Sequence, residues 1–346
     1  MSKMTKPPGG LDERTPDWHF NKFVTFTKRK IEINEPSPHL RMVGYMTEKY
    51  SMNDRLWLLG TYAATYNVPT GQVIWENWTH TDVLEKPRTL EKWLTKNWKG
   101  IITRTERRCV RSPAKMAECL ISCAYWIENK FRELPTLAAG NTNEYYDRVY
   151  ESVTGIKYFG RYISIRFVEG LRRFCGIPAY LYDVRSVGGW SPKRCMMYFH
   201  PERIGVLKTD DAKGNALMDS LTEELLVRVK ETLPEVDSYV LAAMLCEYKG
   251  AFENRHQFVG HTIDQKFALY DKTMAYWGEN WSHDKIWEAR KAIHPWQVLG
   301  EYENRWHAYR QDLARVLRDF GYIWSDLRYD YIATRDSNSY AHPVRW

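Results

Sequence analysis

The chain is 346 residues long, 44% apolar and 27% charged, and its 50 Lys and Arg outnumber its 43 Asp and Glu for a formal net charge of +7. That length buries a substantial core in one large domain or two smaller ones, and the basic balance permits a nucleic-acid partner without proving one. Six cysteines without a CxxC pair exclude a disulfide framework, no apolar run approaches the roughly 18 residues of a membrane span, and the histidines lack metal spacing. Reduced thiols in a cytosolic protein, with no metal and no cofactor, are the expectation.

In chain order, residues 1–18 are rich in Pro, Gly, Lys and Asp and read as an exposed lead-in. Phe23 to Ile33 (FVTFTKRKIEI) alternates and predicts a short strand or extended arm, and Pro36 to Ser51 predicts a loop. Helices are predicted from the Asn53–Asp54 cap to about Tyr66, from Pro69–Thr70 through Val73, Ile74 and Trp78, from Thr89 to Trp98, and from Ala114 to Leu134. A helix from Asn143 to Val153 precedes one from Tyr158 to Phe174. Trp190 opens a helical turn or two that ends at Pro201, and Asp210 to Asn215 is a turn. Later helices are predicted over Ala216–Thr232, Val236–Tyr248, Thr262–Trp277, Ser282–Lys291 and Glu301–Phe320. Period 3.6 dominates, so the class is all-α, with two interleaved helical lobes.

The densest chemistry lies between Gly155 and Arg194. From Tyr158 to Phe174 the apolar Phe159, Ile163, Phe167, Leu171 and Phe174 form a helical stripe. Arg161 and Arg172 share one azimuth, and Arg166 and Arg173 share another at its edge. Cys175-Gly176-Ile177-Pro178 stops the helix, and a lone Asp183 beside Arg185 follows. Four guanidiniums near a carboxylate suit a polyanion. A solvated basic face on a core helix fits the same pattern. Upstream, between Lys86 and Lys115, ten cations face only Glu91 and Glu106.

Three further constellations stand out. Asp54-Arg55-Leu56-Trp57 reads equally as a capped core helix. In Leu245-Cys246-Glu247-Tyr248-Lys249, the default is a solvated Glu247 and Lys249. Arg255 to Asp264 (RHQFVGHTID) places Gly260 before a Thr262 cap, where a helix N-terminus would suit a phosphate. An ordinary capped loop has the same pattern.

The order glycine turn, helix, short loop, Asp resembles the helix-hairpin-helix DNA glycosylase superfamily, although here Gly155 and Gly160 stand farther apart than that family's hairpin glycines. Taken together, KYFGRY (157–162), YDVRSVGGWSPKR (182–194), LCEYK (245–249), GHTID (260–264) and DRLW (54–57) are more similar to a phage family. It is the alpha-glutamyl/putrescinyl thymine pyrophosphorylases, or amino acid:DNA transferases, of the glycosylase-like helical superfamily. The resemblance covers roughly Asn53 to Trp277.

The resemblance implies a glycosylase-like catalytic domain over 53–277, an N-terminal arm and loop over 1–52 and a C-terminal helical extension over 278–346, in the cytoplasm of an infected bacterium. It also implies a thymine hypermodification step, in which pyrophosphate on hydroxymethyluracil in double-stranded DNA is displaced by the amine of an amino acid or polyamine. Lys157, Arg161, Arg172, Arg185, Arg194 and Arg255, with Lys249, are then the cations for pyrophosphate and DNA. Asp183 is the first-choice base, or a stabiliser of the electron-poor methylene, and Glu247 or Asp264 the second. Tyr158, Tyr162, Trp190 and Trp57 are candidate rings for a flipped base. A base-excision glycosylase, with Asp183 assisting cleavage and Lys157 or Lys249 forming a Schiff base, and a non-catalytic DNA-binding module are the alternatives.

Overall fold

The structure is a computed structural model, and it describes residues 15–104, 110–138, 142–182, 190–204, 212–252, 270, 272–278, 281–282 and 284–294. The helices are α1 (Pro16–Glu32), α2 (Pro38–Thr47), α3 (Met52–Thr65), α4 (Val68–Asn77), α5 (His80–Glu85), α6 (Pro87–Lys96) and α7 (Pro113–Asn129). They continue with α8 (Thr142–Thr154), α9 (Arg161–Phe174), α10 (Trp190–Phe199), α11 (Pro201–Ile204), α12 (Ala212–Lys230), α13 (Ser238–Phe252) and α14 (Asp284–Ile293). Short 3-10 turns occupy Trp98–Gly100 and Phe131–Ala138, and no strand occurs among the described residues. The all-α class read from periodicity is the class observed.

The chain divides into two compact units, one from Met1–Pro36, Asp183–Gln265 and His294–Trp346, the other from Ser37–Tyr182 and Lys266–Ile293. Each unit draws on separated stretches of sequence, so the lobes are interleaved along the chain.

Within the second unit α3 is the central element, since every residue from Leu56 to Thr65 is buried. A helix apolar on all sides must be enclosed, and α2, α4, α7 and α9 pack around it. Ser51 caps it, accepting from the Asp54 N–H at 3.2 Å, two residues before the cap read from Asn53. Gly71 of α4 lets that helix approach closely, because a Cβ there would lie 2.9 Å from the Tyr62 backbone nitrogen.

The first unit holds α1, α10, α11, α12 and α13. Its core is aromatic: Phe23 meets Phe199 and Tyr248 edge-on at 5.3 and 5.4 Å between ring centroids, and Phe199 stacks on Tyr248 at 6.2 Å.

Several expectations are corrected. FVTFTKRKIE lies in α1 and not in a strand, because Phe23, Val24, Phe26, Thr27 and Lys30, at helical spacing, are buried. The segment expected as a loop over Pro36–Ser51 contains α2, whose Leu40, Val43 and Met46 are buried. Residues 212–215 belong to α12, and the unexpected α5 is nucleated by a Thr79/Asp82 capping box. The predicted helix over Glu301–Phe320 lies outside the described residues. No helix among the described residues is long and apolar enough to cross a membrane.

Candidate active site

Helix α9 organises the second unit's polar chemistry. It starts at Arg161, not Tyr158, with Gly160 at its N-cap and no capping side chain. Tyr158 stands outside it in a left-handed conformation (φ 64°). The predicted stripe is buried at Phe159, Ile163, Phe167 and Leu171, and Gly176 ends the helix at φ 74° as expected of the glycine. Gly170 faces α3 so closely that a Cβ would sit 2.6 Å from Leu59 Cδ1.

The four arginines of α9 divide into two pairs. Arg161 is exposed, and Arg172 is half-buried with its guanidinium 4.5 Å from the Tyr180 ring centre. Arg166 and Arg173 turn instead to Glu169, a fully buried carboxylate that the sequence reading passed over. Arg166 Nη1 donates to Glu169 Oε2 at 2.7 Å, Arg173 Nε donates to Oε1 at 2.8 Å, and Ser37 Oγ donates to Oε1 at 2.6 Å. Burial alone would raise the Glu169 pKa, but the two guanidiniums overcome it and hold the carboxyl down at about 2. The i+3 and i+4 spacing of Arg166, Glu169 and Arg173 was the signal in the sequence.

Arg166 also faces a cluster of tyrosines. Its guanidinium lies 5.3 Å from the Tyr162 ring centre, Tyr162 and Tyr66 share a hydroxyl contact of 2.6 Å, and Arg104 stands 5.5 Å from the Tyr66 ring. Tyr62 stacks on Tyr66 at 5.5 Å, and His39 Nδ1 is 2.7 Å from the Tyr270 hydroxyl. Burial raises the phenols of Tyr62 and Tyr270 above the ordinary range, so both stay neutral. Tyr162 is half-buried, which leaves part of its ring at the rim.

The KYFGRY loop before α9 is pinned to α7. The Lys157 N–H donates to Ser122 Oγ at 2.9 Å, while the Lys157 ammonium and the Tyr158 hydroxyl reach Glu118 Oε2 at 3.1 and 2.9 Å. Those hydrogen bonds, Tyr158 first, hold the Glu118 carboxyl below its usual value. A cavity of about 480 Å³ lies between α7 and α8, with walls that include Ser122, Trp126, Leu134, Arg148, Glu151 and Gly155. At the start of YDVRSVGGWSPKR, the Tyr182 hydroxyl donates to both Asp147 carboxylate oxygens at 2.8 Å, tying the residue before Asp183 to α8.

In the first unit, LCEYK lies on α13 and neither of its charges is solvated as read by default. Lys249 is 4% exposed. Glu247 Oε2 accepts from the buried Lys30 ammonium at 2.5 Å, and Glu35 pairs with the same ammonium at 3.1 Å. Burial works against charge on Lys30, but the two carboxylates outweigh it and raise its pKa.

Trp57, expected among the base-stacking rings, is corrected: it is a core side chain, 1% exposed, with its indole N–H donating to the Trp78 carbonyl at 2.5 Å. Trp190 and Arg194 fall on α10, with their side chains outside the described residues, as are Asp183, Arg185, Arg255 and Asp264 altogether. Lys157 and Tyr158 share Glu118, Tyr162 faces Tyr66 and Arg166, and Arg161 opens α9. Glu247 and Lys249 belong to the other unit. No group of three or more His, Cys, Asp or Glu able to hold a metal is found among the described residues.

Residues 37–256 match the family model described as ADDT, amino acid:DNA transferase. The match spans more than half of the chain, and the chain belongs to this family. No curated protein and no solved structure matches it.

The Glu169 cluster yields a pH prediction. A folded carboxyl at about 2, against about 4.3 unfolded, adds stability above pH 4.3 that is lost as pH falls towards 2, roughly 3 kcal/mol in all. Glu169→Gln leaves two guanidiniums without their counter-charge and is expected to cost about 3–5 kcal/mol. Urea unfolding at stepped pH measures both, and the variant's stability should be flatter between pH 5 and 2. Equal slopes for the two proteins would contradict this assignment.

Proposed function

We propose that the chain transfers the amine of an amino acid or polyamine to 5-(pyrophosphoryloxymethyl)uracil in double-stranded DNA. The amine nitrogen forms a bond to the exocyclic methylene carbon, the carbon–oxygen bond to pyrophosphate breaks, and its electron pair leaves with the pyrophosphate. The surplus amine proton passes to a carboxylate. The family match carries the coarse activity, a transferase acting on DNA. The finer chemistry is supported by the α9 entrance, where an uncapped helix N-terminus adjoins Lys157 and Arg161.

In this reading the pyrophosphate lies against Lys157 and Arg161, with Arg172, Arg185, Arg194 and Arg255 as further cations. Tyr162 and Tyr158 stack on the flipped base, and Trp190 is the remaining ring. Asp183 takes the proton, with Asp264, Glu247 and Lys249 as secondary candidates. The glycosylase-like catalytic domain is proposed to run over 53–277, between the N-terminal arm and the C-terminal extension. The amine is assigned to the cavity between α7 and α8, where Arg148 offers a cation, Glu151 an anion and Trp126 an apolar wall. Both signs together suit a zwitterion better than a diamine.

Three outcomes test this. Asp183→Asn should lower product formation by about 10²–10⁴-fold, read by mass spectrometry of nucleosides, with DNA affinity kept within a few-fold; near-normal turnover removes Asp183 from the mechanism. Arg161→Ala should weaken binding of pyrophosphorylated DNA more than of unmodified DNA, and equal losses would make it a plain backbone contact. Glu151→Gln should raise KM for the amine with kcat little changed, whereas an unchanged KM places the amine elsewhere.

A further inference from the structure

Helix α6 is set apart by its charge. Leu90 and Leu94 are fully buried and fix the helix against its neighbours α5 and α7, which turns Arg88, Lys92 and Lys96 outward. At four-residue spacing these three lie about 6 Å apart along the axis. Lys99, in the 3-10 turn that follows, is exposed as well.

Several exposed cations elsewhere are paired. Lys130 meets Glu133 at 3.2 Å, Arg203 meets Glu224 at 2.9 Å, Lys285 meets Glu76 at 3.0 Å, and Lys157 meets Glu118. At the edge of the stripe itself, Lys86 is taken by Asp82 at 2.7 Å. Arg88, Lys92, Lys96 and Lys99 have no hydrogen-bond or ion-pair partner among the described residues, and Glu91 is the one acid within α6. A row of like charges left unpaired is repulsive within the fold, so its compensation comes from outside.

We propose that Arg88, Lys92, Lys96 and Lys99 form a docking surface for the phosphate backbone of duplex DNA, reading charge and not sequence. Duplex DNA presents about one negative charge per 1.7 Å of its axis, a regular polyanion that a linear row of cations neutralises with release of counterions. Arg88 pairs with a phosphate through two parallel N–H donors, and the lysines act as point charges. The surface holds the duplex irrespective of whether the target base carries pyrophosphate. This rests on the reading of the chain as a transferase acting on DNA.

The test is fluorescence anisotropy of the full chain with an unmodified duplex and with the same duplex carrying hydroxymethyluracil, titrated between 50 and 200 mM salt. The triple variant Arg88→Gln, Lys92→Gln, Lys96→Gln should flatten the slope of log affinity against log salt by about 2.7, equivalent to roughly 40-fold over that range. Both duplexes should be affected equally, with helicity by circular dichroism unchanged. A second triple, Arg132→Gln, Arg203→Gln, Lys230→Gln, removes the same charge away from α6 and should keep the wild-type slope. Equal loss in both triples means net charge and not this surface, and an unchanged slope in the α6 triple also overturns the proposal. A wild-type chain that binds neither duplex ends the DNA reading as well, so the two failures are told apart.

Discussion

The second unit depends on burying one carboxylate between two guanidiniums. An isolated Glu169 charge inside the protein would cost several kcal/mol of desolvation, so it is ionised there only because Arg166, Arg173 and Ser37 surround it. The partners come from two places: both arginines lie on α9 and Ser37 precedes α2. The cluster therefore fixes the rotation of α9 as well as its position against α2. With two cations for one anion, a positive charge is left over, and Arg166 directs it at the Tyr162 ring. That rotation decides which face of α9 shows Arg161 and which is hidden.

Cations in the described residues then fall into kinds that composition cannot separate. Arg166 and Arg173 are consumed by the fold, as is Lys30, held between Glu35 and Glu247 in the other unit. Lys157 is half committed: its ammonium touches Glu118, yet it stays exposed and near the α9 entrance. Arg161 and the α6 row are among the uncommitted charges. A net charge of +7 therefore understates how unevenly positive charge is available to a ligand.

How much of this was legible follows from where each signal resides. Helix period, caps and breakers are local, and they located α3, α4, α7, α8, α9 and α13 with errors of a few residues at the ends. In α1, Phe23-Val24-Thr25-Phe26-Thr27 alternates as well as it fits a helix, and the burial of Val24, Thr27 and Lys30 as well as the two Phe settles the period. At α2, Pro38 and His39 look like loop residues until Pro38 is seen to start the helix and His39 to contact Tyr270. Trp57 read as a possible stacking ring because a DRLW segment does not reveal that α3 is enclosed on every side. Glu169 was the costliest omission: its spacing was visible, but its burial depends on Ser37, far away in sequence.

These environments narrow which group accepts a proton in the proposed transfer. Tyr62 and Tyr270 are pushed upward by burial, so near neutral pH neither is a phenolate base. Glu169, held at about 2, is too weakly basic and fully enclosed. Glu118 is lowered by its bonds to Tyr158 and Lys157, and Glu247 would have to abandon Lys30. Each of these carboxylates spends its lone pairs on holding a cation or a hydroxyl. The proposed reaction needs one that is free to change its protonation state. Asp183, the proposed base, follows Tyr182, whose hydroxyl is anchored on α8.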